Sequence, residues 1–312
     1  MSTKRTTVAG LGFVLLSACA YGITPALFKL AYRAHLDELS LIGLRSAAAA
    51  VLVAAAAWVI REPGIPPRAA TRLVALGAGL YGPQMWLYFA ALHWLDTTVA
   101  VAAAYVYPTI VAVIVAVRRR RPPPAVEVAL IGVAALGVAA IALSGGPARA
   151  DPLGLALVLT AALLYAGYVV VAASVTVDLP TLGSTAWMLA GTAVATLGAA
   201  AATGRLALPA GPTAWTYLLV HGLVVVPVGL VAFYAGLRRL GPVRTSLVDN
   251  LQPVIAVTVG STVLGERLTL SRALGITLVS IAVVGMPAAA ARRKTVGPKG
   301  NDPVGVPRRS PE

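Results

Sequence analysis

Cysteine occurs once in the 312 residues, as Cys19, and histidine three times, as His35, His93 and His221. A single thiol inside an apolar run cannot form an internal disulfide or supply a cysteine zinc site, and no combination of His, Asp and Glu falls at metal-ligand spacing. Charge is scarce as well, at 12% of residues, and acidic groups are scarcer, 11 Asp and Glu against 25 Lys and Arg. No Ser, His and Asp set can be nominated as catalytic, and no glycine-rich phosphate loop ends in Gly-Lys-Ser/Thr. ATP-driven work by this chain alone, a metal and a bound cofactor are therefore not expected.

Apolar residues are abundant. They make up 58% of the chain, with a mean hydropathy of +0.84, against about 45–50% apolar and about 25% charged in an ordinary soluble domain. An excess of that size does not fit one soluble core, and it is spread over many runs rather than one. The class predicted is an all-α integral membrane protein in a lipid bilayer. The net charge of +14 and isoelectric point near 10.6 would suggest nucleic acid in a soluble protein. Here the Lys and Arg residues sit between apolar runs, and no basic face with interleaved aromatics appears, so no nucleic-acid partner is expected.

A hydropathy window of about 19 residues divides the chain into ten segments long enough to cross roughly 30 Å of hydrocarbon. They fall near 8–31, 39–60, 71–92, 97–117, 126–144, 152–175, 181–202, 214–237, 243–264 and 270–290. The weakest cut is at Val177 to Pro180, between the sixth and seventh. The first run, from Val8 to Leu30, exceeds the usual signal-peptide core of about 7–15 residues and reads as a spanning helix. Residues 291–312 are rich in Lys, Arg, Gly and Pro and read as a disordered basic tail. With both termini cytoplasmic, eighteen basic residues fall on the inner side, Arg118 to Arg121 and six in the tail among them, and five on the outer side: Arg33, Arg149, Arg205, Arg267 and Arg272. That asymmetry predicts a multi-pass protein of the cytoplasmic membrane with both termini inside.

The chain matches itself at an offset of about 145. Ala90-Ala91-Leu92 lies over Ala235-Gly236-Leu237, Tyr107-Pro108 over Gln252-Pro253, Ala20-Tyr21-Gly22 over Leu164-Tyr165-Ala166, and Gly132 over Gly275. Two five-helix repeats, 8–144 and 152–290, follow. Five is odd, so the second repeat must enter the membrane inverted, an arrangement characteristic of secondary carriers that expose a midplane site to alternate sides.

The pattern Ala235-x-Leu237, Pro242, Ser246, Gln252-Pro253, Gly265-Glu266-Arg267-Leu268 and Gly275 resembles the second domain of the EamA-like family of the drug/metabolite transporter superfamily. Tyr21-Gly22, Phe28-Lys29, Arg45 and Tyr107-Pro108 resemble its first domain, so the similarity covers roughly 8–290. The chain departs from many members in carrying Arg120-Arg121 where they repeat Gly-Glu. The resemblance implies a ten-helix carrier, often an exporter, of amino acids and other small metabolites.

Ionisable residues inside a membrane are costly, roughly 2.5–3.5 kcal/mol at a helix centre, and so are functional candidates. Asp249, about six residues into the ninth segment, reads as a proton-coupling or cation-binding group, or else as a structural partner of Arg244. Arg45, about 9 Å into the second segment at 1.5 Å per residue, and Lys29, nearer its helix end, suit an anionic group on a substrate; snorkelling competes. His221 in the eighth segment could titrate during transport or serve as an interhelical hydrogen-bonding group. Pro108 and Pro253, matched across the repeat, read as hinges. Around them Tyr105, Tyr107, Asn250 and Gln252, with Tyr81, Gln84 and Tyr88 on one face of the third segment, offer polar groups to a small-molecule substrate. The reading is a secondary carrier whose two halves rock around a site between segments three, four, eight and nine. A membrane-embedded enzyme or a non-transporting membrane partner is the alternative, and it lacks a catalytic constellation. Trp58, Trp86, Trp94, Trp187 and Trp215 read as interface anchors. The Ala/Gly-rich stretches permit close helix packing and leave a homodimer open.

Overall fold

Chain crossing hydrocarbon must satisfy every backbone N–H and C=O internally, so Ala-, Leu- and Val-rich runs of this length fold as helices. The computed structural model describes residues 2–24, 37–95, 97–120, 122–142, 151–263 and 269–295, and it is helical nearly throughout. Five segments are single helices between loops: Glu38–Val59, Ala125–Ala142, Pro152–Val175, Thr181–Ala202 and Leu270–Thr295. The first is Ser2–Gly22. The third, fourth, eighth and ninth are interrupted. The sixth and seventh segments, weakly separated in sequence, are distinct helices that end at Val175 and begin at Thr181.

Local chemistry sets several helix starts. The Asp37 carboxylate accepts from the Ser40 N–H at 3.0 Å, and Asp151 accepts from the Leu153 N–H at 2.8 Å, each satisfying a donor that a helix N-terminus leaves open. Pro67, Pro152, Pro212 and Pro242 occupy first helical positions, where a missing N–H costs nothing. The last helix runs on to Thr295, into the stretch expected to be an irregular tail from residue 291. Four alanines, Ala288 to Ala291, favour helix strongly, and Arg292, Arg293 and Lys294 suit the negative end of its dipole. Lys29 and the Gly265-Glu266-Arg267 turn lie outside the described residues.

Among the described residues four helices are long and apolar enough to cross a membrane alone: Glu38–Val59, Pro152–Val175, Thr181–Ala202 and the composite Pro212–Leu240. Large apolar residues point outward, among them Val51, Leu136, Val194 and Leu163, whereas Ser46, Thr192, Thr196, Arg45 and Asp249 are buried. A soluble protein does not expose that much contiguous apolar surface, and a bundle in lipid has no reason to hide it.

The two halves of the chain interleave. The most extensive pairings all join one half to the other: second with seventh, fifth with tenth, first with eighth, third with seventh, and sixth with third. The first segment also packs on the ninth, the sixth on the fourth, and the second on the eighth. Exchanging each segment for the one five places along maps this pattern onto itself. The fifth and tenth segments approach backbone to backbone at two glycines: a Cβ on Gly137 would lie 2.8 Å from the Gly275 carbonyl oxygen. Gly275→Val therefore has nowhere to place its side chain. Overpacking of this kind costs about 1–3 kcal/mol, so thermal unfolding in detergent is expected several degrees lower, with Ala at the neighbouring lipid-facing Leu274 as the near-neutral control.

Candidate functional site

Each interrupted segment breaks beside a proline. The fourth is split at Tyr105 and Val106 into Thr97–Ala104 and Tyr107–Arg119, and the ninth at Asn250 into Pro242–Asp249 and Leu251–Val263. Tyr105 and Asn250 correspond across the repeat offset. Pro108 is the second residue of its half-helix and Pro253 the third, so both stand in a first turn, where proline is tolerated, rather than in a helix interior. The third and eighth segments carry one π-helical turn each, Gly77–Tyr81 and His221–Val225, closed by Gly82 N–H to Gly77 C=O and by Val226 N–H to His221 C=O. Pro83 and Pro227 follow directly. A proline ring clashes with the carbonyl four residues back, and widening the turn to a five-residue bond relieves it.

Between the first, third, fourth, sixth and ninth segments lies a cavity of about 170 Å³. The first segment contributes Tyr21; the third Tyr81, Gln84, Met85 and Tyr88; the fourth Ala104, Tyr105 and Tyr107; the sixth Ala161, Ala162 and Tyr165; the ninth Asp249 and Gln252. On the third and fourth segments these residues run from the helix middle toward the ends that bear residues 91 and 97, on the sixth and ninth they sit near the middle, and on the first Tyr21 stands at the end that bears residue 22. The other end of the cavity is blocked by aromatic rings. Tyr168 packs at 5.0 Å from Tyr81, 5.6 Å from Tyr165, 6.3 Å from Phe233 and 6.4 Å from Tyr234 between ring centroids, and all but Tyr165 are buried.

Asp249 is the carboxylate of this cavity, 2% exposed. Its Oδ2 accepts from the Tyr107 hydroxyl at 2.8 Å and from the Tyr165 hydroxyl at 3.5 Å; its Oδ1 accepts from Gln252 Nε2 at 2.6 Å. The Tyr105 hydroxyl donates in turn to Gln252 Oε1 at 3.2 Å, which fixes the orientation of that amide. No Lys or Arg among the described residues forms an ion pair with it. Three donors and no cation leave an ionised Asp249 with an uncompensated charge, which a proton or a cationic group would neutralise. Tyr107→Phe removes the shortest hydroxyl contact to this carboxylate. Hydrogen bonds to charged groups contribute about 1.5–3 kcal/mol to stability, so the unfolding temperature is expected to fall by several degrees, and solute affinity measured by equilibrium binding to change by roughly 10-fold or more.

Seven of the residues singled out in the sequence meet at this cavity: Tyr81, Gln84, Tyr88, Tyr105, Tyr107, Asp249 and Gln252. Three do not line it. Asn250 is 1% exposed and turned away, with no partner for its Oδ1. Arg45 stands one layer back, its Nη2 donating to Met85 Sδ at 3.0 Å. His221 is buried beside Tyr217, ring centroids 5.3 Å apart. The eighth segment, expected at the site, supplies no lining residue; the first and sixth take its place through Tyr21 and Tyr165. The signal for these two was present, since both tyrosines sit mid-segment and match across the repeat.

A model of the EamA-like transporter family matches the sequence twice, over residues 8–143 and 152–286. No curated protein sequence matches the chain. Among the solved structures that share its fold is a crystal structure with a TM-score of 0.76, covering 93% of this chain and 99% of that one, at 17% sequence identity.

Proposed function

The chain belongs to the EamA-like transporter family, and from that premise we propose that it is a secondary carrier that moves a small polar metabolite, such as an amino acid or a related compound, across the cytoplasmic membrane by alternating access. The observation that carries the proposal is the cavity itself: a closed-ended site, walled by tyrosines, with one carboxylate held only by neutral donors. In the proposed topology ten segments cross the membrane as two inverted five-helix repeats with both termini cytoplasmic. In that topology the cavity mouth opens outside and the aromatic floor faces inside.

The interleaved packing changes what moves. The units are not residues 8–144 against 152–290; they are the first, eighth and ninth segments against the sixth, third and fourth, each group joined by its own tight contacts. Asp249 and Gln252 belong to one group, and Tyr105, Tyr107 and Tyr165 to the other. The hydrogen bonds at Asp249 thus tie the two groups together beneath the cavity. A proton or a cationic group arriving at Asp249 weakens its hold on Tyr107 and Tyr165, the groups part on the inner side, and the solute leaves inward or enters from there. The direct test is counterflow of labelled metabolites in proteoliposomes with a pH gradient imposed or collapsed. Saturable exchange of one compound supports a carrier; absence of exchange across a broad panel, with correctly folded protein, rejects it.

A further inference from the structure

Arg45 is 1% exposed and one of the largest fully buried side chains, and a guanidinium keeps its proton in a protein. Its surroundings give it an aromatic face, the Phe89 ring centroid 5.7 Å from Cζ, but, among the described residues, no anion. Nη2 donates to the Met85 thioether, a weak acceptor, Nη1 has no hydrogen-bond partner, and no carboxylate among the described residues pairs with it. His221, from the π-turn of the eighth segment, stands within electrostatic reach and leaves both ring nitrogens unpartnered at 1% exposure. Gly222 brings the two together: a Cβ there would lie 3.2 Å from the Arg45 carbonyl oxygen, so only a small residue lets the eighth segment lie this close to the second. Two cavity-side facts complete the picture. Met85 lines the cavity on its other side, and its sulfur is the hydrogen-bond acceptor of the guanidinium.

A buried cation without a counter-charge costs several kcal/mol, and breaking it out of solvent is sustainable only with a compensating anion or an equivalent set of acceptors. We propose that Arg45 and His221 form a subsite for a small monovalent anion, a carboxylate or a halide, and that Met85 is the shutter separating it from the cavity. Met suits this task, because three rotatable bonds let it swing aside at little cost. With the shutter open, a solute bound at Asp249 through a cationic or hydrogen-bonding group reaches Arg45 with an anionic one. This extension rests on the cavity being the solute site; the anion subsite itself does not.

The test needs no transport and no knowledge of the solute. Unfolding temperature of the purified protein is measured in sodium acetate, sodium chloride and sodium gluconate at equal ionic strength, gluconate being the bulky anion of the three. Wild type is expected to be stabilised by acetate or chloride over gluconate by about 2–4 °C. Arg45→Gln loses that difference, Met85→Ala reaches half its shift at roughly one third of the wild-type concentration or less, and Met85→Leu, which keeps the shutter's bulk, responds as wild type. Response to acetate alone identifies a carboxylate subsite, and response to chloride an inorganic-anion site. Equal stability of wild type in all three salts overturns the proposal, as does an undiminished response in Arg45→Gln. Should Arg45→Gln fail to fold, an unchanged half-saturation in Met85→Ala overturns the shutter. A protein that passes here but exchanges no metabolite in proteoliposomes would keep the anion subsite and lose the carrier.

Discussion

Asp249→Asn, reconstituted at wild-type density, is expected to lose accumulation of solute driven by an imposed pH gradient, while exchange between equal pools persists. The substitution is nearly isosteric, and its amide oxygen can still accept from Tyr107. What it cannot do is change charge. It also turns an NH2 group toward Gln252 Nε2, which now donates to Oδ1 at 2.6 Å, so one amide must flip and release either the 2.8 Å bond from Tyr107 or the 3.2 Å bond from Tyr105. The ties between the two helix groups are therefore loosened and made indifferent to protons. A coupled carrier gains 1.4 kcal/mol, a factor of ten in concentration ratio, for each pH unit of gradient and each proton moved. The variant should fall from that ratio to one, measured as the steady-state inside-to-outside ratio of labelled solute at a fixed gradient. Wild-type accumulation in Asp249→Asn would remove Asp249 from coupling and move attention to His221.

Much of this site was legible in one dimension, and the reason is geometric. Tyr81, Gln84 and Tyr88 recur at helical spacing, and Asp249 and Gln252 stand three apart, so each set must share a helix face. Depth along a helix follows from counting residues, which is why Asp249 and Tyr107 were placed mid-membrane. Azimuth does not follow from counting when both faces are apolar. Arg45, His221 and Asn250 have the right depth and point elsewhere, and an Ala/Val-rich helix carries no amphipathic stripe to say so. The interleaving of the halves was illegible for a related reason: local pattern encodes the faces of each helix, while partner choice is decided by complementary shape, such as Gly137 against Gly275. The π-turns have a visible cause in Pro83 and Pro227, but the self-match of the two halves is stronger around Pro108 and Pro253.

Pro83→Ala combined with Pro227→Ala is expected to slow transport by 10-fold or more while leaving solute affinity and unfolding temperature close to wild type. Each proline follows a π-turn whose single wide bond, Gly82 to Gly77 or Val226 to His221, carries the strain of keeping the ring clear of a carbonyl. Alanine supplies an N–H at that position and removes the ring, so the regular four-residue ladder can re-form through Gly77–Tyr81 and His221–Val225. Helix regained there offsets packing lost, which keeps stability nearly constant. Rigidity does change. The third segment lies in one moving group and the eighth in the other, and each π-turn stands where its segment crosses the opposite half: Gly77 against Met188 and Thr192 of the seventh, Gly222 against Arg45 and Ala48 of the second. Parting the groups on one side and closing them on the other requires both segments to bend at these crossings, and a wide turn bends more readily than a regular one. Single substitutions leave one bend intact and should each slow exchange less than the pair, with a combined effect greater than their product. Pre-steady-state exchange rates of the two single variants and the double variant, with equilibrium binding measured alongside, decide it; an unslowed double variant would mean that the segments move as straight rods and the bends serve packing alone.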